Sequence, residues 1–403
     1  MNTTASVVRS MKPLGALLLL IFITALRPQP SFADVLSVGP DKPFTKPSLA
    51  AAAAKKGDTI EIAPGIYTED CAVWNADNLT IKGLGQRPVI NAKGEAADDK
   101  GIWVIKGDNT IIDNIEFTGC TDKNRNGAGI RQEGRNLTLT NCSFHDNENG
   151  VYIDDNPQSD VRIDYCEFSH NGYGNGQSYN IYVNYIHSLE LKGCYIHDAK
   201  AGDNVKSRAQ TNFILYNRIA DDDSSVSALP LNFPNGGACY VVGNVIRKAA
   251  KTSIPVFVAM GSEGAKNSKQ KLYLINNTIA NAKKSSTLNN VRKGAALFKA
   301  QGGTELRIVN NAFLYVTNQF EGSGTLEMML VKNNVVTAPG DFADATNLDF
   351  HLTSRSDARR AGSSPGFSDG IDLTPRFEYV HPCKVKTRAT GGRDVGAFEA
   401  EGS

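Results

Sequence analysis

Along most of the chain, apolar and polar residues alternate over runs of four to six positions, with Gly, Asn or Asp between the runs. This period of two predicts short strands, and the gaps leave no room for helices. The strands recur as a ladder whose rungs are "NIEF" ending at Phe117, "NCSF" at Phe144, "YCEF" at Phe168 and "GCYI" at Ile196. It continues through "YNRI" at Ile219, "GNVI" at Ile246, "NNTI" at Ile279, "NNAF" at Phe313 and "NNVV" at Val336. Successive rungs are 27, 24, 28, 23, 27, 33, 34 and 23 residues apart. Self-similarity at such a period predicts an all-β solenoid in which each unit stacks on the last.

Two residues before each rung's end stand Ile115, Cys142, Cys166, Cys194, Asn217, Asn244, Asn277, Asn311 and Asn334. Stacking brings like residues about 4.8 Å apart, so the asparagines are expected to hydrogen-bond along the stack. Cys142, Cys166 and Cys194 are expected to be inert core thiols, with a disulfide between neighbours as the secondary alternative. Spacing pairs none of Cys71, Cys120, Cys239 and Cys383.

The ends differ from the repeat. "KPSLAAAAAKKGD" (Lys46 to Asp58) reads as a short Ala-rich helix covering the first open rung, as solenoid ends require. It leads into "TIEIAPGIYTED", two strands joined at Pro64-Gly65. Past about Phe350 the rungs fade into an irregular tail ending in "RDVGAFE". Residues 1–33 read as a signal peptide: Arg9 and Lys12, an apolar run from Leu14 to Ala25, then Ser31-Phe32-Ala33. The run is short for a membrane span, and an uncleaved anchor is the minority reading. The expected division is therefore signal peptide 1–33, solenoid domain 34–350 and C-terminal capping tail 351–403. The mature chain is expected to be exported, periplasmic or extracellular, with no membrane attachment after cleavage.

With 43 basic and 42 acidic residues, the net charge of +1 gives no sign of a nucleic-acid partner. Zinc and redox chemistry find no C-x-x-C and no histidine pair at ligand spacing. "GLGQRP" lacks the pattern and the helix of a nucleotide site. The sequence sets no oligomeric state, and a monomer is compatible with it.

"GDTIEIAPGIYTE", the repeated rungs and the closing "DVGAFE" resemble exported right-handed parallel β-helix proteins of the pectate-lyase-like superfamily. The resemblance spans nearly all the mature chain. It implies a right-handed parallel β-helix with a short N-terminal capping helix and an irregular C-terminal cap. It does not specify a reaction, because such folds host lyases, hydrolases, epimerases and binding proteins.

A second stack of strands reads "GIRQE", "VYIDD", "IYVNY", "VKSRA", "LPLNF" and "VFVAM". Val151, Ile153, Ile181, Val183, Val205, Leu229, Leu231, Val256 and Val258 form its inward face, joined by Ser207. One outward column then holds Arg131, Tyr152, Tyr182, Lys206, Pro230 and Phe257. The next holds Glu133, Asp154, Asn184, Arg208, Asn232 and Ala259. Exposed cations on a sheet are commonly plain solvated surface. Set beside tyrosines and amides, they make a surface suited to an acidic polysaccharide, through stacking, hydroxyl hydrogen bonds and carboxylate pairing. The glycine-rich "HNGYGNGQSY" (His170 to Tyr179) would wall the groove, adding Tyr179 and Asn180. His197, in the preceding rung, is a weaker candidate.

"NVKS…N…YNRI" (Asn204 to Ile219) resembles the lysine-bearing rung of alginate and chondroitin lyases, in which a lysine is the base. The resemblance implies that Lys206 takes the proton α to a uronate carboxylate. Arg208 would lower the lysine's proton affinity or pair with that carboxylate, and Tyr182 would protonate the leaving oxygen. The chain departs from that pattern on the next rung, where "LPLNFPNGG" offers Asn232 instead of an arginine. Asp203 and Asn204 stand where calcium-binding acids would be expected, so calcium stays an open cofactor. A non-catalytic glycan-binding or assembly protein and a C5-epimerase are the alternatives. A glycoside hydrolase fits less well. It needs two carboxyl groups at a set separation, and Asp155 is expected to point away from Asp154.

Overall fold

In a computed structural model the protein is described at residues 1, 33–252, 254, 256–282, 296–301, 303–323, 328–389 and 393–400. Residues 2–32 of the expected signal peptide lie outside the described residues. From Ala33 onward the chain forms one compact unit. It is a parallel β-helix of three sheets with 12, 11 and 10 strands among the described residues. One turn shows the path. Leu137–Thr140 lies in the first sheet, Ser143–His145 in the second, Asn149–Ile153 in the third, and Asn156–Asp164 returns to the first. Each strand is hydrogen-bonded to its counterparts one turn before and one turn after, which satisfies the backbone without helices.

The second sheet is the ladder foreseen from the repeat. Phe117, Phe144, Phe168, Ile196, Ile219, Ile246, Ile279, Phe313 and Val336 are direct register partners in sequence. All but Val336, at the end of the ladder, are buried. Phe117, Phe144 and Phe168 stack nearly flat, 5.1 and 4.7 Å between centroids, and Trp103 and Trp74 continue the column edge-on. The asparagine ladder is complete. The side-chain amides of Asn217, Asn244, Asn277 and Asn311 each donate to the next oxygen in line at 2.9–3.0 Å. Each also donates to a backbone carbonyl one turn back. The cysteines of the column are buried, and all seven in the chain are unpaired.

The residue before each ladder position turns the corner from the first sheet. Asn114, Asn141, Tyr165, Gly193, Tyr216, Gly243, Asn276, Asn310 and Asn333 all have φ between 52° and 68°. Only this left-handed conformation makes the bend, and Asn or Gly adopts it at least cost. In "NNTI", "NNAF" and "NNVV" the first Asn bends the chain and the second joins the ladder.

The Ala-rich segment is helical over Pro47–Ala53 and buries Pro47, Ala50 and Ala51 against the first turn. The C-terminal tail folds back along the flank. It packs on Val245, Ala280 and Ala312 of the ladder sheet and on Tyr216, Tyr240 and Tyr273 of the first sheet. Cys383 reaches as far back as the Cys166 carbonyl, at 3.4 Å. No described helix is long and apolar enough to cross a membrane.

Candidate functional site

The third sheet carries the expected outward face. Arg131, Tyr152, Tyr182 and Lys206 are direct register partners on four successive strands. Beyond Lys206 the alignment read from sequence slips by two residues. Lys206 pairs with Asn232, and Val205 with Leu231. The cause is Pro230. It has no N–H to give to a strand interior, so it stands just before the strand Leu231–Phe233, where only its carbonyl is needed. Asn232 therefore sits beside Lys206, not beside Arg208. Leu229 and Val256 leave the inward face and cluster with Ala259, while Phe257, expected outside, is buried in the core.

The tyrosines form a row. Tyr152 and Tyr182 are 4.6 Å apart between ring centroids, and Tyr179 lies almost parallel to Tyr182 at 5.1 Å. Each ring has a cation on it: Arg131 at 3.7 Å from Tyr152, Arg208 at 5.2 Å from Tyr182 and Lys206 at 5.2 Å from Tyr179. Such contacts hold long side chains in place while their polar ends stay available. Arg131 is itself spent on Asp154, through two hydrogen bonds of 2.9 and 2.7 Å. Asn184 donates to the Tyr152 hydroxyl at 3.5 Å. Asp155 does not point inward as expected; the strand has ended at Ile153, and its exposed carboxylate accepts the Tyr185 N–H.

Lys206 and Arg208 share one partner that no pattern in the chain announces. Glu263 accepts from Lys206 Nζ at 2.9 Å with one oxygen and from Arg208 at 2.6 Å with the other. It comes from "MGSEGAKNSKQK", an insertion that lengthens one repeat. A lone Glu in an aperiodic insertion carries no signal of where the loop folds. Its presence corrects the electrostatic argument for Lys206. Arg208 is not an uncompensated like charge beside the lysine, because a carboxylate bridges the two. Burial pushes Glu263 up, but the hydrogen bonds from Lys206 and Arg208 outweigh this and hold its carboxyl below the usual range. Arg208 also donates to the Tyr182 hydroxyl at 2.7 Å, and Lys206 lies 3.4 Å from that of Tyr179. Burial pushes both phenols up, further for Tyr182, so both stay protonated.

Two expected site residues are elsewhere. Asn180 is fully buried in a second amide ladder at the corner between ladder and site sheets. There Asn147, Asn171, Asn180 and Asn204 bond in turn, at 3.1, 2.9 and 2.8 Å, and Asn204 donates to Asp221 at 2.8 Å. His197 lies on the ladder sheet, between Asp198 at 2.7 Å and Glu167 at 3.4 Å.

Calcium does not fit at Asp203 and Asn204. Asp203 is 5% exposed, its carboxylate accepts from the Leu229 N–H and the Asn232 amide, and Asn204 is spent in its ladder. Among the described residues no three of His, Cys, Asp and Glu gather to hold a metal. Instead a lysine lies nearby. Lys248 is buried beneath this corner, where burial pushes its ammonium down to about 8 against the opposing charges of Asp221 and Asp203.

The family described as "Right handed beta helix region" matches residues 62–219. Among solved structures, the pectate lyase Pel9A is similar over 92% of this chain and 97% of its own, at 16% identity and a TM-score of 0.63. An alginate lyase from Paenibacillus sp. is similar over 72% of this chain and 99% of its own, at 13% identity and a TM-score of 0.50. The fold is a right-handed parallel β-helix. No curated protein matches the chain by sequence.

Proposed function

We propose that this is an exported protein that acts on an acidic polysaccharide, cleaving a uronic-acid-containing chain by β-elimination. The observation that carries the reading is the Tyr152–Tyr182–Tyr179 row, with Lys206 and Arg208 side by side on its edge and already gripping a carboxylate. Tyr152 and Tyr182, one turn apart and half-buried, suit successive sugars, with the buried Tyr179 backing Tyr182, and a paired Lys and Arg is more than stacking needs. The two fold neighbours are both lyases, which lends support at the level of the fold.

In this reading Lys206, entering as the neutral amine, takes the proton from C5 of the uronate. The C–H electron pair becomes the C4–C5 double bond, the bond from C4 to the leaving oxygen breaks, and the Tyr182 hydroxyl protonates that oxygen. Arg208 pairs with the substrate carboxylate as charge builds on it.

The test is the absorbance of unsaturated uronate, measured over alginate, pectate, glucuronan and glycosaminoglycans with wild type and Lys206→Ala. Signal on one polymer, lost in the variant, supports the lyase. No signal on any polymer refutes it. One observation favours a second reading, a non-catalytic glycan-binding or assembly protein: Glu263 holds Lys206 as a cation, which binding needs and proton abstraction does not. Binding without turnover would select it. A C5-epimerase shares the first proton abstraction and would show itself by inverted C5 centres without chain cleavage.

A further inference from the structure

We infer that Lys206 and Arg208 form a two-pronged subsite for a single carboxylate, and that Glu263 occupies it as a built-in stand-in that an acidic ligand must displace. The inference rests on the functional reading above and adds to it how the site recognises and gates the ligand's charge.

Geometry carries it. The two cations stand two residues apart, Lys206 in the strand Val205–Ser207 and Arg208 just past its end, and one carboxylate spans them, an oxygen to each, at 2.9 and 2.6 Å. A uronate carboxylate has the same charge and the same pair of oxygens, so it can make the same two contacts. The other charges of this face are already balanced: Arg131 is held by Asp154, and Lys100 is paired with Glu133. Between Lys206, Arg208 and Glu263 the cations outnumber the carboxylate by one, and the neighbouring acid, Asp203, is buried and turned to the Leu229 N–H and the Asn232 amide. With Glu263 swung away the excess is two, side by side, beside the tyrosine row.

Glu263 is also built to leave. Its side chain is 43% exposed, against 12% for Lys206 and 17% for Arg208. Its loop is fixed independently of the side chain, by its own N–H to the Pro234 carbonyl at 2.8 Å and by the Asn267 amide on the Ala209 and Gly236 carbonyls. Vacating the subsite therefore takes a side-chain rotation and no loop movement. The two cations, held against Tyr179 and Tyr182, would stay where they are. A stand-in of this kind admits only ligands whose carboxylate outcompetes it, which discriminates against neutral sugars.

The experiment is calorimetric titration of wild type, Glu263→Gln and Glu263→Ala with oligogalacturonate and oligomannuronate hexamers, and with cellohexaose as a neutral control. Removing the competing charge should tighten binding of the acidic hexamer about three- to tenfold in both variants and leave the neutral one unchanged. Thermal melting of each variant checks that the fold is intact. Binding that is unchanged or weaker in both variants, with wild type still binding the acidic hexamer, overturns the stand-in and leaves the functional reading in place. No binding of either acidic hexamer, nor of glucuronan and glycosaminoglycan hexamers titrated in the same way, by any of the three proteins overturns both.

Discussion

Tyr182 stands directly beside Lys206, as its register partner on the neighbouring strand, and its hydroxyl receives a hydrogen bond from Arg208 at 2.7 Å. This puts an ammonium, a guanidinium and a phenol on one stretch of surface without any loop having to bring them together. Burial pushes the phenol well above its usual range, which the Arg208 charge only partly opposes, so Tyr182 can give a proton but not take one.

Tyr182→Phe separates stacking from proton donation. The ring stays between Tyr152 and Tyr179, so polymer binding should change less than about threefold. If Tyr182 is the acid, kcat for β-elimination should fall by about 100-fold, the usual scale for one positioned proton donor. The uronate absorbance assay reads this directly. A tenfold rise in KM with kcat intact would make the hydroxyl a binding group instead.

Arg131→Ala should cost stability before it costs function. Asp154 is more than half buried, and burial pushes its carboxyl up despite the two hydrogen bonds from Arg131. Taking the guanidinium away strands a desolvated carboxylate, with an expected loss of roughly 2 kcal/mol in urea denaturation at neutral pH. The double variant Arg131→Met/Asp154→Leu should recover most of it, because neither charge is then left unpaired. A single-variant loss within experimental error would mean that the pair behaves as solvated surface.

The repeat was legible because it is enforced at every turn: from Phe117 to Val336, each rung must place the same kind of residue in the same slot. The site was legible as far as that register held. Arg131, Tyr152, Tyr182 and Lys206 fell into one column, and the reading failed at Pro230, where a missing N–H shifts the strand by two residues. Asn180 looked like a loop residue facing a groove. It is a corner amide, and the period that would have exposed it is broken by loops of unequal length. Glu263 was beyond reach, since it meets Lys206 by the folding of an insertion with no counterpart in other turns.

The asparagine ladder should be a main source of stability. Asn277 donates to the Asn311 oxygen and the Val241 carbonyl, and accepts from both the backbone and the side-chain amide of Asn244. Asn277→Leu fills the space but leaves several buried polar groups on both sides without partners. The expected loss is roughly 3 kcal/mol, the cost of one or two unsatisfied buried groups after relaxation. Replacing a thiol of the same column, Cys166→Ala, removes only a small apolar body and weak sulfur contacts, so it should cost less than half as much. Equal losses in the two variants would show that the column matters for its volume and not for its hydrogen bonds.

His197 should make the fold sensitive to alkaline pH. Burial alone would push its imidazole down, but hydrogen bonds to Asp198 and Glu167, with the charges of both carboxylates, raise it to about 9. The Tyr195 ring stacks on it at 3.9 Å, and His170 lies 5.9 Å away. Because the folded value is raised above the unfolded one, the stabilisation is fully present below about pH 6.5 and is lost as pH rises through 9. A shift of that size corresponds to roughly 3 kcal/mol across the window. Urea denaturation at pH 6 and pH 9.5 should therefore show wild type losing stability at the higher pH relative to His197→Gln, because Lys248, held down to about 8, contributes in the opposite direction in both proteins. His197→Gln should lower stability at pH 6 and remove the histidine's share of the change, since glutamine has no proton to lose there. If the variant keeps the wild-type slope, the titrating group is another one, and the Glu167–His197–Asp198 cluster does not carry its proton through this range.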